Sequence, residues 1–168
     1  MIERFESDAR RHASATKDGV NVAVRAGTQL EMASLPEWTD LKTLVTEIST
    51  ERLHDYARRF EAIEFILKFE NFVFSSPIIE RVDPGQGYNW HIDSGPSQTE
   101  GRFLSVLAYL NDVDAGGATD FPMQGASFQP RQGSMLLFPP FWMYPHRGAP
   151  PRSAKYVLTA YFIIDSAA

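Results

Sequence analysis

Cysteine is absent from the 168 residues, so disulfide staples and thiolate metal sites are both excluded. Histidine is scarce, occurring only as His12, His54, His91 and His146. No apolar run reaches the roughly 18 residues that suggest a membrane span. The opening residues Met1 to Arg10 lack the apolar stretch of a signal peptide, which makes a cytoplasmic, membrane-free protein the expectation. Positive charge is in deficit, with 16 Lys and Arg against 21 Asp and Glu and a net charge of −5, which argues against nucleic-acid binding through phosphate neutralisation. Repeats, low-complexity tracts and linkers are missing as well. The chain therefore reads as a single domain over 1–168, long enough to bury about two-thirds of its unfolded surface. Hydrophobic residues at 43% and aromatics at 12% supply a core of ordinary size. Oligomeric state is not set by these features, and a monomer is compatible with them.

What is present divides at residue 63. Residues 1 to about 35 mix charged and small residues with the β-branched run Val20 to Val24, and read as an arm or strand. From Pro36, Trp38, Leu41, Leu44, Val45 and Ile48 share one helical stripe; a second helix, capped by Ser49 or Thr50, carries Leu53, Tyr56, Ala57 and Phe60. Both are expected to pack outside a sheet. From Glu64 the period shortens to alternation. Strands are expected at 65–74, 77–83, 88–93, 102–110, 118–121, 126–130, 133–138, 144–148 and 154–164, with no further helix. The class is mainly β with N-terminal helices (α+β): residues 1–63 form an arm and supporting helices, and residues 64–168 form a sandwich or barrel.

The stretch Tyr88-Asn89-Trp90-His91-Ile92-Asp93 holds the first chemical signal. In a strand, residues two apart share a face and lie roughly 6.5 Å apart, so His91 and Asp93 look the same way. Alone, such a pair is common on surface strands. His146, 55 residues downstream in Tyr144-Pro145-His146-Arg147-Gly148, offers a third ligand. Two His and one carboxylate on one side of a metal, with the other positions open, is the donor set of non-haem Fe(II) oxygenases. Lys155 opens an apolar strand with no acidic neighbour in sequence; a buried ammonium there needs an anion, and a bound carboxylate is a reasonable one. His54, beside Arg52, Asp55 and Arg58, reads as a solvated surface residue, and His12 as part of the charged arm.

Several further segments follow in order: Pro84-Gly85-Gln86-Gly87-Tyr88 before His91; Arg102 to Asp112; Gly116-Gly117-Ala118-Thr119-Asp120-Phe121-Pro122; Pro130 to Phe138; and His146-Arg147-Gly148 with Lys155. Over residues 76 to 164 the chain resembles the prolyl 4-hydroxylase branch of the Fe(II)/2-oxoglutarate-dependent dioxygenases. The resemblance implies a double-stranded β-helix, or jelly roll. It also implies iron held by His91, Asp93 and His146, the distal 2-oxoglutarate carboxylate paired to Lys155, and Tyr88 bonded to the cosubstrate. Ser105 stands where many relatives carry threonine and falls among the cofactor-binding residues. The implied reaction hydroxylates a C–H bond with O2, releasing succinate and CO2, with ascorbate as an optional reductant.

A prolyl residue in a peptide or protein is the expected substrate. The alternatives are a related oxygenase acting on a free amino acid, small metabolite or nucleobase, or a catalytically silent jelly-roll binding module. The Pro84–Gly87 loop and the Trp142 loop are expected to frame one opening, with Trp142 and Tyr144 facing a proline ring and Arg147 or Arg81 bonding peptide carbonyls. Trp142 serves equally well as a cap on the barrel. Trp90 alternates with His91 and is expected in the core on the opposite face. Gly116-Gly117 reads as a hairpin turn, and Arg102 as either a structural residue or a support behind the ligands.

Overall fold

The computed structural model describes residues 1–15, 19–69, 71–95, 99 and 101–164. In chain order the elements are α1 (Ile2–Ser7), β1 (His12–Ala13), β2 (Thr28–Glu31), α2 (Thr39–Ala57), α3 (Glu61–Phe69), β3 (Phe72–Phe74) and β4 (Ile78–Val82). They continue with β5 (Tyr88–His91), β6 (Arg102–Tyr109), β7 (Thr119–Phe121), β8 (Ala126–Phe128), β9 (Met135–Phe138), β10 (His146–Gly148) and β11 (Lys155–Ile164). Two antiparallel sheets result. The larger has seven strands in the order β1-β2-β4-β11-β6-β9, with β3 also on β11; the smaller runs β5-β10-β7-β8.

Strand parity in the large sheet separates a core face from a cavity face. Ile79 of β4, Leu104 and Val106 of β6, and Leu158, Ala160 and Phe162 of β11 join one apolar cluster with Phe5, Trp38, Val45 and Leu53 from the N-terminal third. The alternating residues Glu80 and Val82, Leu107, and Lys155, Val157, Thr159 and Tyr161 line a cavity of about 900 Å³ instead. Register carries the division across strands, because Val157 pairs with both Glu80 and Tyr109, and Thr159 with both Ile78 and Leu107; a register shift at the start of β6 reverses it there, placing Phe103 in the core cluster and Arg102 on the cavity. His91, His146 and Gly148 of the smaller sheet close the cavity from the other side.

The helices depart from expectation in two places. One helix runs unbroken through Ser49, which is buried in α2 and is not a cap. Its inward residues are Val45, Ser49, Leu53 and Ala57, each four apart, whereas Leu44 and Ile48 are exposed. α2 buries only a narrow stripe against the core cluster, so the wider stripe is only partly used. The segment expected as strand 65–74 begins as α3. The alternation of Phe65, Leu67 and Phe69 is overridden by Ile63, Ile66 and Leu67 at helical spacing, which pack on the cluster, while Phe65 is 64% exposed. Glu64 and Lys68 add an i,i+4 pair at 3.1 Å. Only Phe72–Phe74 becomes a strand.

The remaining strands lie within two residues of their expected limits, and the arm adds β1, β2 and the short α1. Val20–Val24 is not a strand. Gly116 and Gly117 both take positive φ, +67° and +71°, but the hairpin reading is not met: they lie on the crossover from β6 to β7, strands of different sheets, and Gly116 bridges to Pro151.

Candidate metal centre and cavity

β5 carries His91 to the cavity and ends there; Asp93 lies two residues on, in a bend. The main chain holds this bend at two points. Asp93 N–H donates to the Pro140 carbonyl at 3.1 Å, and the Asp93 carbonyl accepts from Arg102 Nη1 at 2.8 Å. Pro140 belongs to the loop that leads into β10, so the loop before His146 also fixes Asp93. His146 is the cross-strand partner of His91, which converts 55 residues of separation into ring centroids 4.2 Å apart.

Each imidazole is oriented by its own backbone. His91 Nδ1 lies 2.8 Å from the Asn89 carbonyl and His146 Nδ1 3.1 Å from that of Tyr144, so each Nδ1–H donates outward and each Nε2 turns to Asp93. His91 Nε2 is 3.4 Å from Asp93 Oδ1, and His146 Nε2 is 3.7 Å from Oδ2. One ligand atom from each residue lies within 4.8 Å of the others. In these tautomers two lone pairs and a carboxylate converge in a buried space, an arrangement that a cation neutralises. The donor set fits a divalent iron ion.

Burial opposes ionisation of Asp93, but rings of His91 and His146 that carry a second proton, together with the Ser105 hydroxyl, hold its carboxyl down at about 2; with both rings neutral the Ser105 bond remains and a bound cation takes their place. Burial also pushes His146 below the ordinary imidazole value, which keeps it a neutral ligand. Ser105 Oγ donates to Asp93 Oδ2 at 2.6 Å. It therefore braces the carboxylate and is not among the residues lining the cavity. Ser105→Ala is expected to weaken Mn(II) binding by about 10-fold or more, as loss of a partner behind a ligand does. Ser105→Thr keeps the donor and should stay near the unaltered value; calorimetric titration with Mn(II) measures both.

Lys155 is buried, and its Nζ donates to the Gly117 carbonyl at 2.8 Å and lies 5.2 Å from the Tyr109 ring centre. It forms no ion pair among the described residues; Glu80 and Asp120 act on it only at longer range. Burial pulls its ammonium down to about 8. Tyr109, whose hydroxyl donates to Thr119 Oγ1 at 2.6 Å, is pushed up to about 12 by burial. Tyr88 lines the cavity and stacks on His91, with centroids 3.5 Å apart and planes 15° apart.

The proposed substrate residues fare differently. Arg81 is placed on the wrong face: in β4 it alternates with Glu80 and Val82, and it bonds Asp83 at 2.8 Å and Glu6 at 3.2 Å on the helix side. Strand parity is the reason, and the sheet removes it from the cavity. Trp142 is 74% exposed and, like Tyr144 and Arg147, is not among the cavity-lining residues. At that exposure Trp142 does not cap the barrel. Arg147 bonds Asp120 at 2.8 Å and lies over Trp90, 4.8 Å from its centre. Trp90 is 46% exposed, not core, because the outer face of the small sheet is uncovered. Gly87 lines the cavity, but the Trp142 loop does not join it there. His54 is exposed, as expected.

Several cavity residues gave little signal in the sequence. Arg102 both ties the Asp93 carbonyl and lies 3.6 Å from the Tyr161 ring centre. Glu80 is an acid between Ile78 and Val82 on one strand face, a visible anomaly; its partner Arg25 lies 55 residues upstream, with nothing in the spacing to mark it.

Residues 78–163 match the 2OG-Fe(II) oxygenase superfamily, and the chain belongs to it. Among its relatives, the probable prolyl 4-hydroxylase 9 of Arabidopsis thaliana is 27% identical over 159 residues, covering 82% of this chain. The chain spans about half of that relative, 51% of its length. The fold is similar to the viral collagen prolyl hydroxylase of Paramecium Bursaria Chlorella virus-1, solved as a 2OG complex, with a TM-score of 0.64 at 21% identity over 83% of this chain and 79% of that one. It is also similar to a Trichoplax adhaerens prolyl hydroxylase in complex with a hypoxia inducible factor oxygen degradation domain peptide fragment. There the TM-score is 0.72 at 19% identity, over 96% and 74% of the two chains.

Proposed function

We propose that this protein is an Fe(II)- and 2-oxoglutarate-dependent oxygenase that hydroxylates a prolyl C–H bond in a peptide or protein, releasing succinate and CO2. The two sheets serve as the double-stranded β-helix of a single domain, with α1, α2 and α3 as supporting helices and the N-terminal arm adding β1 and β2 to the edge of the larger sheet. One observation carries the reading: His91, Asp93 and His146 line the same cavity as Lys155, a buried ammonium with no ion-pair partner among the described residues. Iron and 2-oxoglutarate, when bound, would activate O2, the cosubstrate giving two electrons as it decarboxylates, so that one oxygen atom goes to succinate and the other to the product.

The chain's own residues bind, orient and exclude. His91, Asp93 and His146 would hold the metal on one side and leave its other positions open. Lys155 offers charge to the distal carboxylate of 2-oxoglutarate, and a dianion opposite it reverses the burial penalty on its ammonium. Tyr88 contacts the cosubstrate from its stack on His91. Asn89 and Tyr144 hold each ring through a carbonyl, so both Nε2 atoms are aimed before any ligand arrives. Val157, Val82 and Leu107 keep the interior partly apolar, which limits water beside the reacting C–H bond. Trp142, Tyr144 and Arg147 can serve a peptide that extends beyond the cavity, since all three lie outside its lining.

The likeness to prolyl hydroxylases favours a prolyl substrate. Incubation with Fe(II), 2-oxoglutarate, O2 and proline-containing peptides, followed by mass spectrometry, should show a gain of one oxygen matched by one succinate. Succinate without peptide oxidation, with oxygen appearing in amino acids, metabolites or nucleobases instead, would replace the prolyl reading with the small-substrate alternative. No succinate with any substrate, in metal-loaded protein, would leave the binding-module reading.

A further inference from the structure

Arg25 sits outside every motif, yet it enters the cavity wall beside the metal-binding cluster. Backbone pairing brings it there. Ala26 N–H donates to the Gly87 carbonyl and Asn89 N–H to the Val24 carbonyl, both at 2.8 Å, so Arg25 and Tyr88 are antiparallel bridge partners. A few residues later the same chain is β2, paired to β4. The stretch from Val24 to Glu31 thus ties the small sheet to the large one.

The Arg25 guanidinium has all three nitrogens engaged. Nε and Nη2 donate to the two Glu80 oxygens at 3.0 Å each, and Nη1 to the Ala15 carbonyl at 3.3 Å. The Ser14 hydroxyl also donates to Glu80. Gly27 makes room for this cluster, since a Cβ there would meet Glu80 Oε1 at 2.8 Å and Ser14 Oγ at 3.0 Å. The bonds of Arg25 use three of its five N–H groups among the described residues, and its flat face lies 5.0 Å from the Tyr88 ring centre. The same ring stacks on the ligand His91. An Arg–Glu pair taken out of water contributes little net stability, because desolvation of both charges offsets their attraction. Definition of position is the use this geometry leaves.

We infer that Arg25 is a positioning residue acting through Tyr88: anchored on Glu80, it fixes the Tyr88 ring against His91 and thereby the docking of 2-oxoglutarate beside the metal ligands. The inference rests on the oxygenase reading and on the cosubstrate contact proposed for Tyr88. It differs from a direct ligand role in that three of the five N–H groups of Arg25 are held by Glu80 and Ala15, and a background without Tyr88 tells the two roles apart.

The test is calorimetric binding of 2-oxoglutarate to the full chain loaded with Mn(II), with Mn(II) affinity and melting temperature measured beside it. Arg25→Met alone strands the Glu80 carboxylate, so the primary variant is Arg25→Met with Glu80→Met, which replaces both charges by apolar groups of similar length. The expected result is a Kd for 2-oxoglutarate raised roughly 5- to 20-fold, with Mn(II) affinity held within about twofold, a size typical of coupling between touching residues. In a Tyr88→Leu background the same pair replacement should change that Kd by less than about twofold, because the ring it positions is gone. Arg25→Lys should restore only part of the affinity, since an ammonium lacks the planar fork. A loss that persists undiminished without Tyr88 overturns the inference and makes Arg25 a direct contact. An unchanged Kd overturns it too, and so does unfolding of the paired variant, which would make the pair a fold element. Failure of the unaltered protein to bind 2-oxoglutarate with Mn(II) would instead sink the oxygenase reading and take this inference with it.

Discussion

Asp93→Ala is expected to abolish turnover and to lower metal affinity by more than the roughly 10- to 100-fold that loss of an outer partner costs. Asp93 is the only carboxylate in the candidate cluster, and its two oxygens face the two imidazoles, Oδ1 toward His91 at 3.4 Å and Oδ2 toward His146 at 3.7 Å. Removing it deletes one donor and all of the negative charge offered to a divalent ion, leaving two neutral rings. Asp93→Asn keeps the shape but not the charge and should fail nearly as badly. Asp93→Glu should fail for a different reason: one more methylene shifts the carboxylate by about 1 to 1.5 Å, against a tolerance of about 0.5 Å for a working site. It would also break the 2.6 Å bond from Ser105. Mn(II) titration separates these effects from activity. Retention of both metal affinity and turnover in Asp93→Ala would remove this residue from the ligand set. His91→Ala and His146→Ala should lose turnover likewise.

Lys155→Met should do two opposite things at once: weaken 2-oxoglutarate binding by about 100-fold or more and stabilise the ligand-free fold. The first follows from removing the charge opposite the distal carboxylate while the metal ligands stay intact, so Mn(II) affinity should hold. A charged bond with a buried partner is commonly worth about 3 to 5 kcal/mol when one member is removed. The second follows from burial. The ammonium falls from 10.5 to about 8, a penalty on the charged form of ~3 kcal/mol at most near neutral pH. Because the folded value lies below the unfolded one, the unfolded chain binds more protons between about pH 8 and 10.5, and this group makes stability rise with pH across that window. Lys155→Met should remove that rise and lift the melting temperature at pH 7. In the unaltered protein, 2-oxoglutarate should lift the Lys155 value and bind less well as pH climbs past about 8. A lower melting temperature with equal loss of metal and 2-oxoglutarate affinity would make Lys155 structural.

Much of the site was legible in the residue order because its parts are close in sequence or unusual in kind. His91 and Asp93 are two apart, and an unaccompanied lysine at the head of an apolar strand needs an explanation within any fold. The strands were legible because their alternation and turn residues agree. α3 was not, because Phe65 to Phe69 satisfies two periods at once, and only the apolar surface of the sheet beneath Ile63, Ile66 and Leu67 decides between them. Ser49 misled for a related reason: a serine before a helical pattern reads as a cap until the helix is seen to run through it.

The sequence by itself marked the candidate donors His91, Asp93 and His146, the limits of most strands and the lone lysine, since these are read from residue type and local pattern. Tertiary structure alone decided which face each strand residue occupies. It sent Arg81 to Glu6 and Asp83 on the helix side while its neighbour Glu80 turned to the cavity. It left Trp142 in solvent, and it placed Arg25 over Tyr88 through pairing across more than 60 residues. Register between distant strands depends on the summed burial of whole faces and on the turns that join them, and no local pattern in a single chain records that sum.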